Sequence, residues 1–118
     1  MVNSKYKIGV VDKKGKYFFL FQGFRKNKFA VSGLETVVSM TSELITQYNL
    51  FFVVVYEYKD VFELLQLKDC GIPIIVASEN FKIIKKLQII DFHHCIGLSE
   101  KINILTSLHD CIDGILKK

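Results

Sequence analysis

The sequence is short of the features that announce most functions. It has one proline, and 50% of its 118 residues are hydrophobic, so disorder is not expected. That length points to one domain with a single good core. No apolar run approaches the roughly 20 residues that cross a bilayer. Residues 1–7 have no apolar h-region, so no secretory leader is expected and the expected location is the cytoplasm. The three cysteines, Cys70, Cys95 and Cys111, form no CxxC pair and are odd in number, which predicts reduced, mostly buried thiols. There is no GxGxxG or GxxxxGK[ST] loop, so dinucleotide and P-loop nucleotide binding fail at the first step, and there is no GxSxG elbow. The net charge of +4 is spread over small lysine groups such as Lys13, Lys14 and Lys16, or Lys82, Lys85 and Lys86. Without a concentrated patch and base-reading aromatics, these read as solvated faces, and no direct nucleic-acid binding is expected.

What the sequence does have is the run LFFVVVY over residues 50–56, with no polar position inside it. Val53, Val54 and Val55 are β-branched and suit a strand. A strand apolar on both faces must be covered on both, which predicts the centre of a parallel sheet with helices above and below. Sites in such sheets form at the carboxyl ends of the strands, here just past Val55, at Tyr56, Glu57 and Tyr58.

Around that strand, helix and strand alternate. Residues 6–12, YKIGVVD, read as a first buried strand ending on a carboxylate. The spacing of Tyr17, Leu20, Phe21 and Phe24 predicts a helix over 17–24, although Gly23 weakens it and a hairpin built on DKKGK is the rival. Residues 29–32 form a short second strand closed by Gly33. Val37, Met40, Thr41, Leu44, Ile45 and Tyr48 then have amphipathic helical spacing, with Thr36 or a residue just before it as cap. A third helix is expected over 60–67, capped by Asp60, facing the sheet with Phe62, Leu64 and Leu65 and stopped by Gly71. IPIIVA over 72–77 is a fourth strand ending at Ser78, and a fourth helix follows over about 80–87. A more polar edge strand is expected over 92–96. Ser99 then caps a last helix, with Glu100 in its first turn and Ile102, Leu105, Leu108, Ile112 and Ile115 along one face. Right-handed crossovers make this a three-layer α/β/α sandwich.

Four stretches, IGVVD, NLFFVVVY, GIPIIVASEN and FHHCIGLSEKINIL, together with the five-fold βα order, resemble the receiver domains of two-component response regulators. The resemblance spans the whole chain. It implies a flavodoxin-like fold with strand order 2-1-3-4-5 and a signalling role. It also implies a site with two acidic residues after strand 1 that hold Mg²⁺, a phospho-acceptor aspartate after strand 3, a hydroxyl residue after strand 4, and a lysine, usually before proline, after strand 5. A hard dication needs several oxygen ligands, and a carboxylate nucleophile needs the metal to offset its charge. Ser78 matches the hydroxyl and Asp12 the first acidic residue. Lys13 stands at the second acidic position, the acceptor position falls within Val54, Val55 and Tyr56, and Ile96 with Gly97 replaces lysine-proline. Glu57 lies close by, as a fixed negative charge or a solvated loop residue.

The expectation is therefore a degenerate, or pseudo-receiver, module that is not an enzyme, holds no cofactor or metal, and acts through a protein partner or homodimer. The family implies a contact face of fourth helix, fifth strand and fifth helix, here Lys82, Lys85, Lys86, His93, Cys95 and Ile104. Lys13 is expected to pair with Asp12 or Glu57. Two other readings stay open: a flavodoxin-like small-ligand or anion-binding module using Lys13, Lys14 and Ser78, and a phosphotransfer protein with an atypical acceptor. A metal site of His93, His94 and Cys95 is not expected, because alternation puts only two of them on one side of a strand.

Overall fold

The computed structural model describes residues 6–22, 28–38, 40–90, 92, 94–98 and 104–116. Five parallel strands form one sheet in the order β2-β1-β3-β4-β5, where β1 is Tyr6–Val11, β2 Phe29–Leu34, β3 Leu50–Val54, β4 Ile74–Ser78 and β5 Cys95–Gly97. This is the flavodoxin-like strand order that the receiver resemblance implies, on the α/β/α sandwich that the alternation predicts. The rival hairpin is not formed, since β1 pairs in parallel with β2 and β3.

The run 50–56 lies at the centre, and alternation assigns its residues to two cores. Phe52 and Val54 join one cluster with Ile8, Ile75, Ile96, Ile104, Leu108 and Ile112. Phe51, Val53 and Val55 join the other with Ile45, Leu64, Leu67, Ile83 and Leu87. Every residue from Leu50 to Val55 is at least 96% buried, and Tyr56 is half-buried. Burying each such side chain contributes roughly 1.5–3 kcal/mol, which is why a wholly apolar run sits here.

The crossovers depart from the expected helices. Between β1 and β2 the described residues form only a 3₁₀ turn, Phe18–Phe21. It turns Tyr17 and Phe21 inward, leaves Phe19 outside, and sets the Phe21 ring edge-on to Phe52 at 5.1 Å. A Cβ on Gly33 would stand 3.1 Å from the Phe18 ring, so that ring is seated directly on the β2 backbone. Gly23 and the rest of 23–27 lie outside the described residues.

The expected helix over 37–48 is reduced to α1, Ser42–Ile45, capped by Thr41 and not by Thr36. The reason lies in α2, Val61–Asp69. Its Glu63 accepts from the Thr36 hydroxyl and, at 2.7 Å, from the Val37 N–H. Its Gln66 donates to the Val37 carbonyl at 2.9 Å. Backbone groups that would have closed a first helical turn are thus satisfied from a neighbouring helix. Val37 and Ile45 are buried as expected, but Thr41 and Leu44 are exposed.

The phase of α2 also differs. Leu64 and Leu67 face the sheet, whereas Phe62 and Leu65 point outward. Asp60 caps no residue of α2; its carboxylate accepts from the N–H groups of Tyr56 and Glu57 at 2.8 and 3.0 Å, in a 3₁₀ turn Tyr58–Asp60. Gly71 ends the segment at φ +75°. Helix α3, Phe81–Ile89, is capped by Asn80, and α4, Ile104–Leu116, closes the fold. The expected cap Ser99, Glu100 and Ile102 lie outside the described residues. Leu108 and Ile112 face the core as expected, and Leu105 is half exposed. No described helix is long and apolar enough to cross a membrane.

Candidate functional site

Register brings Asp12, Tyr56 and Ser78 to the same edge of the sheet. Val11 pairs with Val53, Val54 with Ala77, and Ser78 with Gly97. Asp12 follows Val11 directly, and Tyr56 comes after Val55, whose N–H still bonds to the Ala77 carbonyl at 2.8 Å.

Asp12 is the centre of this edge and is only 6% exposed. One carboxylate oxygen, Oδ2, accepts from the Tyr17 N–H at 2.8 Å. The other, Oδ1, accepts from the N–H groups of Lys14 and Gly15 at 3.2 and 3.1 Å, and from the Tyr56 hydroxyl in a short hydrogen bond. Three of these four hydrogen bonds fall on Oδ1, which they fill, while Oδ2 accepts one of the roughly two it can take. Local sequence produces much of this: Lys14, Gly15 and Tyr17 follow within five residues, and the turn folds back over the side chain of the residue that starts it.

Of the three positions to which the acceptor was narrowed, Val54 and Val55 are buried in opposite cores, and only Tyr56 enters the site. Burial and the hydrogen bond to Asp12 push the Tyr56 phenol well above its ordinary range. Beside it, the Tyr17 hydroxyl donates to Glu79, and burial followed by that bond pushes its pKa up to about 12. Glu79 is held below the usual carboxylate range by Tyr17 and by Lys16, whose ammonium stands 3.1 Å away.

Lys13 does not reach Asp12. Its ammonium lies 2.9 Å from Asp60 and 3.2 Å from Glu57, so of the two expected partners only Glu57 is used. The hydrogen bond to Asp60 is the main cause of a raised Lys13 pKa. Burial alone would raise Asp60, but Lys13 and the N–H groups of Glu57 and Tyr56 outweigh it and hold the carboxyl low. Glu57 is likewise held low by Lys13, then Lys59. Lys14 stands over the Tyr56 ring at 4.8 Å.

Ser78 is 1% exposed; it donates to the Val55 carbonyl at 2.7 Å and accepts from the Asn80 N–H at 3.0 Å. A hollow of about 660 Å³ opens beside it, bounded by Val55, Tyr56, Glu79, Asn80 and Lys82. Ile96 is buried in the first core and projects nothing into the site.

These residues do not fit Mg²⁺ as a receiver site would hold it. Asp12 already accepts four hydrogen bonds from the chain, lysine follows it in the sequence, and among the described residues no group of three His, Cys, Asp or Glu could hold a metal ion. Of the residues suggested for an anion, Lys13 is paired with Asp60 and Glu57, Ser78 donates to the Val55 carbonyl, and Lys14 lies over the Tyr56 ring.

On the expected partner face, Lys82, Lys85 and Lys86 are exposed, but they do not point one way. Lys85 lies over the Phe81 ring at 5.0 Å, and Lys86 turns toward α2, over the Tyr58 ring at 4.9 Å. Ile104 is a correction: at 4% exposure it packs into the first core and cannot meet a partner. Cys95 is half-buried, its thiol donating to the Phe92 carbonyl at 3.3 Å, and burial followed by Cys111 pushes its pKa up to about 11. His93 lies outside the described residues.

Three participants were not legible as site residues: Tyr17, Glu79 and Asp60. Glu79 follows the terminal serine of β4 and so had to lie on this edge. Tyr17 and Asp60 carry no local signal for their roles.

The sheet order and the edge of strand ends define the class of fold as receiver-like. A crystal structure of a response regulator protein from Burkholderia pseudomallei, with a phosphorylated aspartic acid, calcium ion and citrate, is similar with a TM-score of 0.52 and 11% identity, over 98% of this chain and 75% of that one. No protein-family model matches the chain, and no curated protein matches it.

Proposed function

We propose that this chain is a pseudo-receiver: a signalling module of receiver fold that is not an enzyme and acts through contact with a protein partner. The observation that supports this best is the state of Asp12. A phosphotransfer site needs its carboxylates open to a dication, and here the four donors around Asp12 come from the chain itself. Tyr56, the one of the three candidate acceptor positions that reaches Asp12, offers a phenol and not a carboxylate. Lys13, bound to Glu57 and Asp60, ties the β1 end to the entry of α2. In this reading the module is held in one state, and its output follows from its amount or its partner.

Incubation with acetyl phosphate and Mg²⁺, followed by intact mass spectrometry, tests the proposal. No mass gain is expected. A Mg²⁺-dependent gain of one phosphoryl group on a carboxylate would establish an atypical acceptor instead.

A further inference from the structure

The side of α3 away from β5 carries a groove of about 370 Å³ between α2 and α3. Its floor is Val61, Ile83 and Leu87, and its walls are Phe62, Ile89 and Ile90. The wall residues are far from buried: Phe62 is 69% exposed and Ile89 82%. Single exposed apolar residues are ordinary, but a contiguous set lining a concavity marks a contact site. On the preceding turn and α2, Tyr58, Phe62 and Leu65 are all exposed and fall at i, i+4 and i+7, a second apolar stripe that the core does not use. The one charged side chain that lines the groove is basic, Lys86, whereas Lys82 borders the hollow beside Ser78. The α3 sequence FKIIKKLQI has three lysines and no acidic residue, and Lys86 lines the groove itself. Among the described residues Lys82, Lys85 and Lys86 make no ion pair.

We propose that this groove docks an amphipathic helix of a partner protein with acidic residues along its edges. The proposal rests on the reading that the chain works through protein contacts, and names the place and the chemistry. Both walls are helices of nine residues, about 13 Å long, which suits two to three turns of a docked helix. An apolar stripe at i, i+3, i+4 and i+7 would fill the floor, and glutamate or aspartate at its margin would meet Lys86. A second copy is the poorer occupant, because a two-fold contact would set the α3 lysines of two chains against each other. A bilayer is poorer too, since the floor residues are recessed and a flat surface offers nothing to fill the hollow.

The probe is a fluorescein-labelled synthetic helix with leucine at i, i+3, i+4 and i+7 and glutamate flanking the stripe, read by fluorescence polarisation. Saturable binding is expected, weakened about tenfold or more by Ile89→Asp, a position too exposed for the change to threaten folding. The Lys86→Glu variant should prefer a lysine-flanked version of the same helix. Equal binding by wild type and Ile89→Asp, or equal binding of both helices to the wild type, overturns the proposal. So does self-association in sedimentation that Ile89→Asp abolishes, or flotation with phosphatidylserine vesicles in place of helix binding. Labelling by acetyl phosphate in a chain that still takes up the acidic helix would remove the pseudo-receiver reading and leave the groove standing. An unlabelled chain that ignores the helix would do the reverse.

Discussion

Ser78 and the two tyrosines carry the physical argument at the level of single side chains. The Ser78 hydroxyl is buried with both of its partners on the main chain. Ser78→Ala would leave the Val55 carbonyl and the Asn80 N–H short of a partner, and should cost about 1–3 kcal/mol in urea denaturation. Tyr17 and Tyr56 offer a spectroscopic check. Their folded pKa values lie above the ordinary 10.0, so the stability they contribute is fully present below pH 10 and is lost as pH rises through the folded values, about 12 for Tyr17. Absorbance titration should show the phenolates of Tyr17 and Tyr56 appearing late, with an unfolding step, and Tyr56→Phe should remove its part of that late change. Both phenols titrating near 10.0 in the folded chain would contradict the buried hydrogen bonds assigned here.

Between elements, two close approaches decide the packing. A Cβ on Gly9 of β1 would stand 2.6 Å from the ring of Phe51, itself fully buried in β3. Gly9→Ala must push that ring aside, and about 1–3 kcal/mol of destabilisation is expected. Gly71, at φ +75° with open space around it, tests backbone conformation alone, and Gly71→Ala should cost roughly 1–2 kcal/mol. The tie between the β1 end and the α2 entry is electrostatic and has a pH signature. Asp60 has its folded pKa below the ordinary 3.8, so the stability from its pair with Lys13 is present above that pH and lost as pH falls through the folded value. Wild type and Lys13→Met should therefore differ in stability at neutral pH and converge below 3.8. The gap should shrink with added salt, because the Lys13 side chain is one-third exposed.

For the whole molecule, the question is whether one state or two are populated. A chain whose strand-end hydroxyl, phenol and ammonium are all engaged should show no relaxation dispersion around Ser78 on the microsecond-to-millisecond scale. Two exchanging conformers there would refute the locked state. The geometry also says how to undo the lock. Val55 is buried in the second core, so a carboxylate there would be destabilising, whereas Tyr56 already projects beside Asp12. Lys13→Asp with Tyr56→Asp should free Asp12 of one donor, set three carboxylates together, and produce Mg²⁺ affinity measurable by calorimetry where the wild type has none.

The fold was legible because it depends on patterns local to each segment. A run with no polar position must be covered on both faces, and strands separated by helix-length segments must be parallel. LFFVVVY, IPIIVAS and the stop at Gly71 carried that information in consecutive residues. The helix of the second crossover was misread because its backbone partners come from elsewhere. Glu63 and Gln66 of α2 satisfy the segment at 36–40, and no local period reveals an acceptor or a donor 26 to 29 residues away. The same holds for α2, whose outward face at Phe62 and Leu65 depends on how the turn at Asp60 launches the helix. At the site, which residue stands at each position that the resemblance assigns could be read directly, since that is a matter of sequence order. That Tyr56 alone of three candidates meets Asp12, and that Lys13 chooses Asp60 and Glu57, depended on the pleat of β3 and on a turn folding back across the sheet edge. Pairings between residues 44 and 47 positions apart exist only once the parallel sheet has brought their strands side by side.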